Sequence, residues 1–273
     1  MRRPHPAVLP LVSKYIGYEQ TDVNLSVHRG LPSRHVTVII SLQEPVRVSG
    51  PQGAVRAPGL IGGLHNQAVL VRQDRTQRGL HLELNPFGVR TLFGVNAAEL
   101  SGLVIGLDDL GVPAWAELPD RLASTSTWSD RFRILDDVLA TLSASQDDSL
   151  PVAAELREAW RLMLASEGSM RIGDVADEIG WSRRHFGEKL RAETGITPKQ
   201  AARILRFERV GKLLRQGRFD LAELALECGY YDQAHLSNEW RALAGCSPGT
   251  WISEELPFLQ DVDLFPGEYD CHD

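Results

Sequence analysis

Arg184 and Glu188 stand four residues apart in a stretch whose apolar residues, Phe186 and Leu190, keep helical spacing. On one helix this spacing buries Phe186 and Leu190 and leaves Arg183, Arg184, Gly187, Glu188 and Arg191 on or near the outer side. The chemistry these side chains offer is hydrogen bonding to base edges. An arginine fork matches O6 and N7 of guanine, and a glutamate accepts from the cytosine amino group. Gly187 has no side chain and permits close approach instead. Further along, Gln233, Ala234, Ser237 and Asn238 occupy the corresponding face of a second stretch, whose buried stripe is Leu236 and Trp240. Gln233 and Asn238 suit adenine, Ala234 a thymine methyl and Ser237 a phosphate.

Affinity without a sequence code needs cations and hydrogen-bond donors along a phosphate backbone, and Ser182, His185, Lys199, Arg203, Arg206 and His235 are the candidates. An ordinary solvated face is the competing reading for the α-helical arginines. The charge distribution favours the phosphate role. From Trp181 to Arg218 there are eleven Lys or Arg against three Glu, whereas the stretch after Trp251 has seven Asp or Glu and no Lys or Arg. The net charge of −7 therefore conceals a basic segment and an acidic tail.

Two copies of one short pattern position these residues. The first copy begins at Val175, turns at Gly180 and closes on Gly195-Ile-Thr-Pro198. The second begins at Leu224, turns at Gly229 and closes on Gly245-Cys-Ser-Pro248. The second has one extra residue, placed in the turn, so the repeat is of two similar supersecondary units. Each copy predicts a short helix, a glycine turn, an N-cap (Ser182 or Asp232) and a second helix, which is a helix-turn-helix. A helix over about 198–216, with Arg203, Arg206, Arg209 and Lys212 at spacings that leave several exposed, joins the two units. A further helix over 153–166, broken by Gly168, precedes them.

The first 146 residues have a different texture. His35–Leu42 is rich in β-branched residues, and further strands are expected at 46–49, 68–72 and 79–84, the last alternating Leu80, Leu82 and Leu84 with polar residues. Helical spacing follows at 87–93, 97–100 and 128–142, with Leu107–Gly111 and Glu117-Leu-Pro119 as turn material. The expectation is an α+β N-terminal domain, a small curved antiparallel sheet with helices, over residues 1–146. A linker over 147–152, an all-α domain with two helix-turn-helix units over 153–251 and an acidic tail over 252–273 complete it.

At 273 residues, 43% hydrophobic and 24% charged, the chain reads as globular, and its apolar runs are too short to span a bilayer. With no apolar signal stretch after Met1, it is expected in the cytoplasm. Cys228, Cys246 and Cys271 lack metal-ligand spacing and read as core or incidental thiols. His65, His81 and Glu83 could ligate a metal, but without a third ligand at tight spacing they read as hydrogen-bonding residues. No nucleophile constellation is recognisable, so no catalytic residue and no cofactor are expected. An apolar ligand pocket between sheet and helices is the expected use of the first domain, with no ligand-binding residue named.

Residues 152–251 resemble the DNA-binding domain of the AraC/XylS family of bacterial transcription regulators. The strongest part is Ala225-x-x-x-Gly229-Tyr-Tyr-Asp-Gln-x-His-Leu-Ser-x-x-Trp-Arg, closing on Gly245-x-Ser-Pro248. Arg is common in the family where this chain has Asn238, and Phe where it has Trp240. The resemblance puts the family's base-reading positions of the first unit on Arg184, Gly187 and Glu188. It implies a sequence-specific transcription regulator that binds double-stranded DNA, and RNA polymerase as a partner if it activates. The N-terminal half resembles the sensor-like domain found in one branch of the family, through His35–Leu42 and Asn85-Pro-Phe-Gly88 among others. That half would offer a small-molecule effector site or a homodimer contact. Control by a protein partner, with no small ligand, is the alternative; an enzyme fused to the DNA module is a third.

Overall fold

The computed structural model describes residues 4–145, 152–260 and 263–264. Strands come first: β1 (Val12–Gln20), β2 (Val27–Gly30), β3 (Val36–Ser41), β4 (Val46–Gly50), β5 (Gly53–Ala57), β6 (Gly59–Gly62), β7 (Val69–Arg72) and β8 (Gln77–Leu84). Then follow α1 (Val89–Phe93), β9 (Val104–Gly106), α2 (Pro113–Ala123) and α3 (Trp128–Ser145). The second half is helical: α4 (Ala154–Ala165), α5 (Ile172–Glu178), α6 (Arg183–Thr194), α7 (Pro198–Arg215), α8 (Leu221–Glu227), α9 (Gln233–Ala244), α10 (Pro248–Glu254) and α11 (Leu256–Gln260). A two-residue strand, β10 (Asp263–Leu264), returns to pair with β1.

The expected antiparallel sheet exists in two parts. Six strands run in the order β10-β1-β8-β3-β6-β9 and four in the order β2-β7-β4-β5. Alternation decides which face is buried: Val36, Val38 and Ile40 of β3 meet Leu80, Leu82 and Leu84 of β8 on one face, all fully buried. α2 and α3 cover that face. Tyr15 stacks on Phe132 at 6.2 Å and Phe93 on Trp115 at 4.4 Å, with the Trp115 indole N–H donating to Leu92 O at 2.8 Å. Gly17 leaves β1 bare where Trp128 lies across it; a Cβ there would fall 2.6 Å from the indole. Where Tyr15, Trp128 and Phe132 meet, the space between sheet and helices is filled by side chains.

One helix and one turn expected from the sequence are not found, for local reasons. Residues 97–100 form turns closed by three-residue bonds (Leu100 N–H to Ala97 O, Ser101 N–H to Ala98 O) rather than a helix. Glu117-Leu-Pro119, expected as a turn, lies inside α2. Pro119 is buried against Gly59 of β6, and this packing outweighs the backbone hydrogen bond that a proline forfeits.

One core runs from the sheet through α4–α6 into the first half of α7, ending at Leu205; a second begins at Phe207 and holds α8–α10. Trp160 of α4 meets Phe87 edge-on at 5.9 Å, joining the N-terminal half to the helices. Polar contacts reinforce the seam. The fully buried Glu255 carboxylate accepts from His28 Nδ1 (2.6 Å), Arg29 N (3.0 Å) and Arg29 Nη1 (3.0 Å). Glu208 of α7 accepts from Ser33 Oγ and Arg34 N, each at 3.0 Å. Of the segment expected as an acidic tail, residues 252–254 and 256–260 are helical and Glu254 pairs with Arg29. Apart from 263–264 the remainder, like linker residues 147–151, lies outside the described residues.

Candidate nucleic-acid interface

The two helix-turn-helix units are built alike, from the same local devices. Gly180 (φ +71°) and Gly229 (φ +77°) take the left-handed conformation that turns the chain after α5 and α8. Ser182 Oγ then accepts from His185 N at 3.2 Å, and Asp232 Oδ1 from His235 N at 2.7 Å, so each second helix starts on a satisfied cap. Phe186 and Leu190 anchor α6; Leu236 and Trp240 anchor α9, with Trp240 against Phe207 at 4.5 Å and Trp251 at 5.3 Å. Gly195 and Gly245 close the helices in the same left-handed way.

With those anchors inward, Arg183, Arg184, His185, Glu188 and Arg191 are all exposed on α6, and Gly187 is half-buried. On α9, Gln233, Ala234, His235 and Asn238 are exposed, and Ser237 is half-buried. The sets correspond residue for residue: Arg183 with Gln233, Arg184 with Ala234, Gly187 with Ser237, Glu188 with Asn238. The same offset pairs Arg191 with Arg241, which the sequence reading passed over. Arg241 is exposed and reaches Asn238 Oδ1 at 3.3 Å. Tyr231, just before the α9 cap, was also missed; it is 86% exposed.

Several candidates already have partners. Arg184 Nε donates to Glu188 Oε1 at 2.8 Å. The Arg183 guanidinium folds back over α5, so close to Gly173 that a Cβ there would come within 2.5 Å of it. His185 packs edge-on against Trp181 at 4.6 Å, and His235 against Tyr230 at 5.3 Å. The Tyr231 N–H donates to His235 Nδ1 at 3.2 Å, which leaves Nε2 as the protonated, outward donor of the neutral ring.

On α7 the expectation of several exposed cations is corrected. Lys212 is exposed, but Arg203, Arg206 and Arg209 are half-buried because carboxylates and a ring draw them inward. Arg203 Nε lies 2.5 Å from Glu239 Oε2 of α9, and the Arg206 guanidinium stands 5.5 Å over the Tyr230 ring. Lys199, at the start of α7, is exposed.

In the N-terminal half, His65 Nδ1 is bonded to Gly63 O at 2.8 Å, and His35 Nδ1 lies 3.6 Å from Glu83 Oε2. Burial pushes the His35 imidazole down to about 4 against the pull of Glu83, and also lowers His81. Among the described residues, no group of three or more His, Cys, Asp or Glu could hold a metal ion. Cys228 is buried, and its thiol is pushed up to about 11 by desolvation, the behaviour of a core thiol. A cavity of about 180 Å³ lies between α2 and α3 beside Arg121 and Thr141, and one of about 50 Å³ at the seam beside Arg34, His35 and Trp160.

Residues 175–254 match the family described as "Helix-turn-helix domain". Over 86 residues the chain is 32% identical to the HTH-type transcriptional activator RhaS of Escherichia coli O9:H4 (strain HS), an alignment covering 32% of this chain and 31% of RhaS. The chain carries an AraC/XylS-type helix-turn-helix domain. The chain's match thus spans about a third of the curated relatives' length. Across nearly the whole chain, the fold is like that of ToxT from Vibrio cholerae O395, with a TM-score of 0.52 at 10% identity, covering 88% of this chain and 97% of ToxT. ToxT of V. cholerae strain SCE256, solved with an unsaturated fatty acid bound, gives a TM-score of 0.51 at 12% identity, covering 93% and 98%. At such identity the likeness is one of fold, and it includes the sheet-bearing half beside the AraC/XylS-type domain. Among the described residues no helix is long and apolar enough to cross a membrane.

Proposed function

We propose that this chain is a transcription regulator that binds double-stranded DNA sequence-specifically, with α6 and α9 reading successive major grooves and residues 1–146 receiving the regulating signal. The observation that carries this reading is the pair of capped, matching helices whose outer faces present Arg184, Glu188 and Arg191 on one and Gln233, Asn238 and Arg241 on the other. Ser182, His185, Lys199 and His235 supply phosphate contacts, His235 through its Nε2–H. Arg203 and Arg206 reach phosphate only by leaving Glu239 and Tyr230. The domain unit is residues 153–251.

A small effector fits the reading because ToxT, which shares the fold, has been solved with a fatty acid. The seam bordered by Ser13, Arg34, His35 and Trp160 is the site we assign to it. Its 50 Å³ is far below the roughly 300–1,000 Å³ of ordinary ligand sites. An effector therefore enters by parting the N-terminal sheet from α4, and so acts on the first unit through the core they share. RNA polymerase is the further partner if the protein activates, and a second copy would dock through the N-terminal domain. The reading involves no catalytic step, and the cytoplasm is its compartment.

The test is selection of bound duplexes from a random library by the full chain. The expected result is an enriched asymmetric site with two contact clusters about 10 base pairs apart. A pool no different from the input after repeated rounds would overturn the reading.

A further inference from the structure

One side chain ties the second helix-turn-helix unit to the connection that leads into the first. Arg209, in the second half of α7, places Nε 3.1 Å from Glu167 Oε2 and Nη2 3.3 Å from Glu227 Oε1. Glu167 belongs to the connection from α4 to α5, at the entry to the first unit. Glu227 ends α8, the first helix of the second unit, where Arg218 also holds it at 2.7 Å. The Arg209 side chain is only 25% exposed, so the contact is partly shielded from salt.

The backbone around Glu167 gives a second, independent observation. Glu167 has φ +48°, a left-handed conformation that is costly for a residue with a Cβ, and Gly168 follows at φ +76°. Gly168 is pressed so closely on α7 that a Cβ would come 2.4 Å from Ala202 O. The connection is therefore held in a strained shape directly against the linking helix, and that shape delivers the Glu167 carboxylate to Arg209. One turn earlier on α7, Arg206 spans the same gap, with Nη1 3.4 Å from Gly168 O and its guanidinium over Tyr230 of the second unit.

We infer that Arg209 is a positioning residue that fixes the angle between the two units, and with it the half-site spacing the protein accepts. The inference about spacing rests on the DNA-reading function proposed above; the inference about the angle does not. A guanidinium suits the task because its planar fork directs separate N–H groups at two carboxylates, whereas a lysine ammonium is a compact point charge. Arg209 has no assigned contact with DNA, so its replacement changes geometry and leaves the reading residues in place.

The experiment uses the full chain with Cys246→Ser and Cys271→Ser, and spin labels at Lys189→Cys on α6 and Ala242→Cys on α9, both exposed sites. Pulsed electron resonance without DNA is expected to give a narrow distance distribution for the parent. Arg209→Gln should broaden it about twofold, with Arg209→Lys in between. Glu167→Asn, which keeps a residue tolerant of the left-handed conformation but removes the charge, should broaden it as well. With duplexes whose spacer is changed by one or two base pairs, the parent is expected to lose roughly tenfold or more in affinity and Arg209→Gln about threefold or less. An unchanged distribution in Arg209→Gln, or in Glu167→Asn should Arg209→Gln be too unstable to study, would overturn the assignment. A parent that shows no sequence-selective binding, together with broadening in the variants, would overturn the DNA reading and leave the assignment of the angle standing.

Discussion

Arg184 Nε and Glu188 Oε1 lie 2.8 Å apart on the outer face of α6, so the two side chains to which we assign base reading are paired with each other in the free protein. Both are largely exposed, and an exposed pair four residues apart on a helix contributes only about 0.3–0.5 kcal/mol to folding. Arg184→Ala should therefore leave the thermal midpoint nearly unchanged. On DNA the same change should weaken the selected site by about 1–3 kcal/mol and flatten base preference at one position. Identical binding profiles for the parent and Arg184→Ala would remove Arg184 from the reading set. Glu188→Ala should alter preference at a neighbouring position by releasing the guanidinium.

Lys199 and Arg203 are expected to separate in salt titrations. Lys199 is exposed, and Lys199→Ala should lower the slope of log affinity against log salt by about one. Arg203 is bound to Glu239 across the α7–α9 contact, so Arg203→Ala should mainly destabilise the second unit, by about 1 kcal/mol. Denaturant melts and anisotropy at several salt concentrations distinguish the two; a full unit of slope lost with Arg203→Ala would restore it to the phosphate set.

The spacing of the two reading helices should be intolerant of a half-turn. The 18 residues of α7 span about 27 Å, close to the roughly 34 Å between successive major grooves on one DNA face. Five base pairs inserted between the contact clusters put one of them on the opposite face and should abolish tight binding. Retained affinity would mean that one unit alone reads sequence.

Acid should loosen the N-terminal half through His35. Its imidazole, 12% exposed near Glu83, His81, Lys14 and Arg34, titrates at about 4 when folded and near 6.5 when unfolded. The unfolded chain therefore binds the proton first, so this contribution is complete above pH 6.5 and is lost as pH falls from 6.5 to 4. Glu208, raised by burial, acts in the opposite sense, since its folded form binds the proton first. Melts from pH 7 to 4.5 should show a shallower decline in His35→Asn than in the parent; parallel curves would exclude His35 as the source.

The Glu255 clasp should be costly to neutralise. Burial alone would raise its carboxyl, but the bonds from His28 and Arg29 outweigh burial and hold it below the usual range. Glu255→Gln leaves buried donors short of an acceptor, at a cost of about 1–3 kcal/mol, and hydrogen exchange should quicken in α10 before it does in β3. Equal protection in both proteins would show the clasp to be dispensable.

What could be read from sequence was whatever is local. Ser182 and Asp232 as caps, Gly180 and Gly229 as turns and the buried stripes of α6 and α9 each depend on residues within about one helical turn, so spacing reveals them. β1 escaped notice because a register shift between Val12 and Lys14 breaks its alternation. β5 and β6 were hidden by Pro58 and their flanking glycines, which read as loop material although Gly59 is bare in order to admit Leu107 and Pro119. The partners of Arg29 and Arg203 were out of reach for another reason: Glu255 and Glu239 lie 226 and 36 residues away, and nothing in a local pattern encodes such pairing.

The division between the two cores falls inside a single helix, between Leu205 and Phe207. α7 belongs to both cores, so it cannot be cut without exposing apolar surface in both helix-turn-helix heads. The first head shares its interior with the sheet, while the second depends on a smaller cluster around Trp240 and Trp251. Melting is therefore expected to proceed in two stages, with Phe207, Val210 and Leu214 losing their cover while Ala201 and Leu205 stay docked. The species between the stages keeps one working head, and on an operator it would grip a single half-site, a binder turned non-cooperative by heat before it is unfolded.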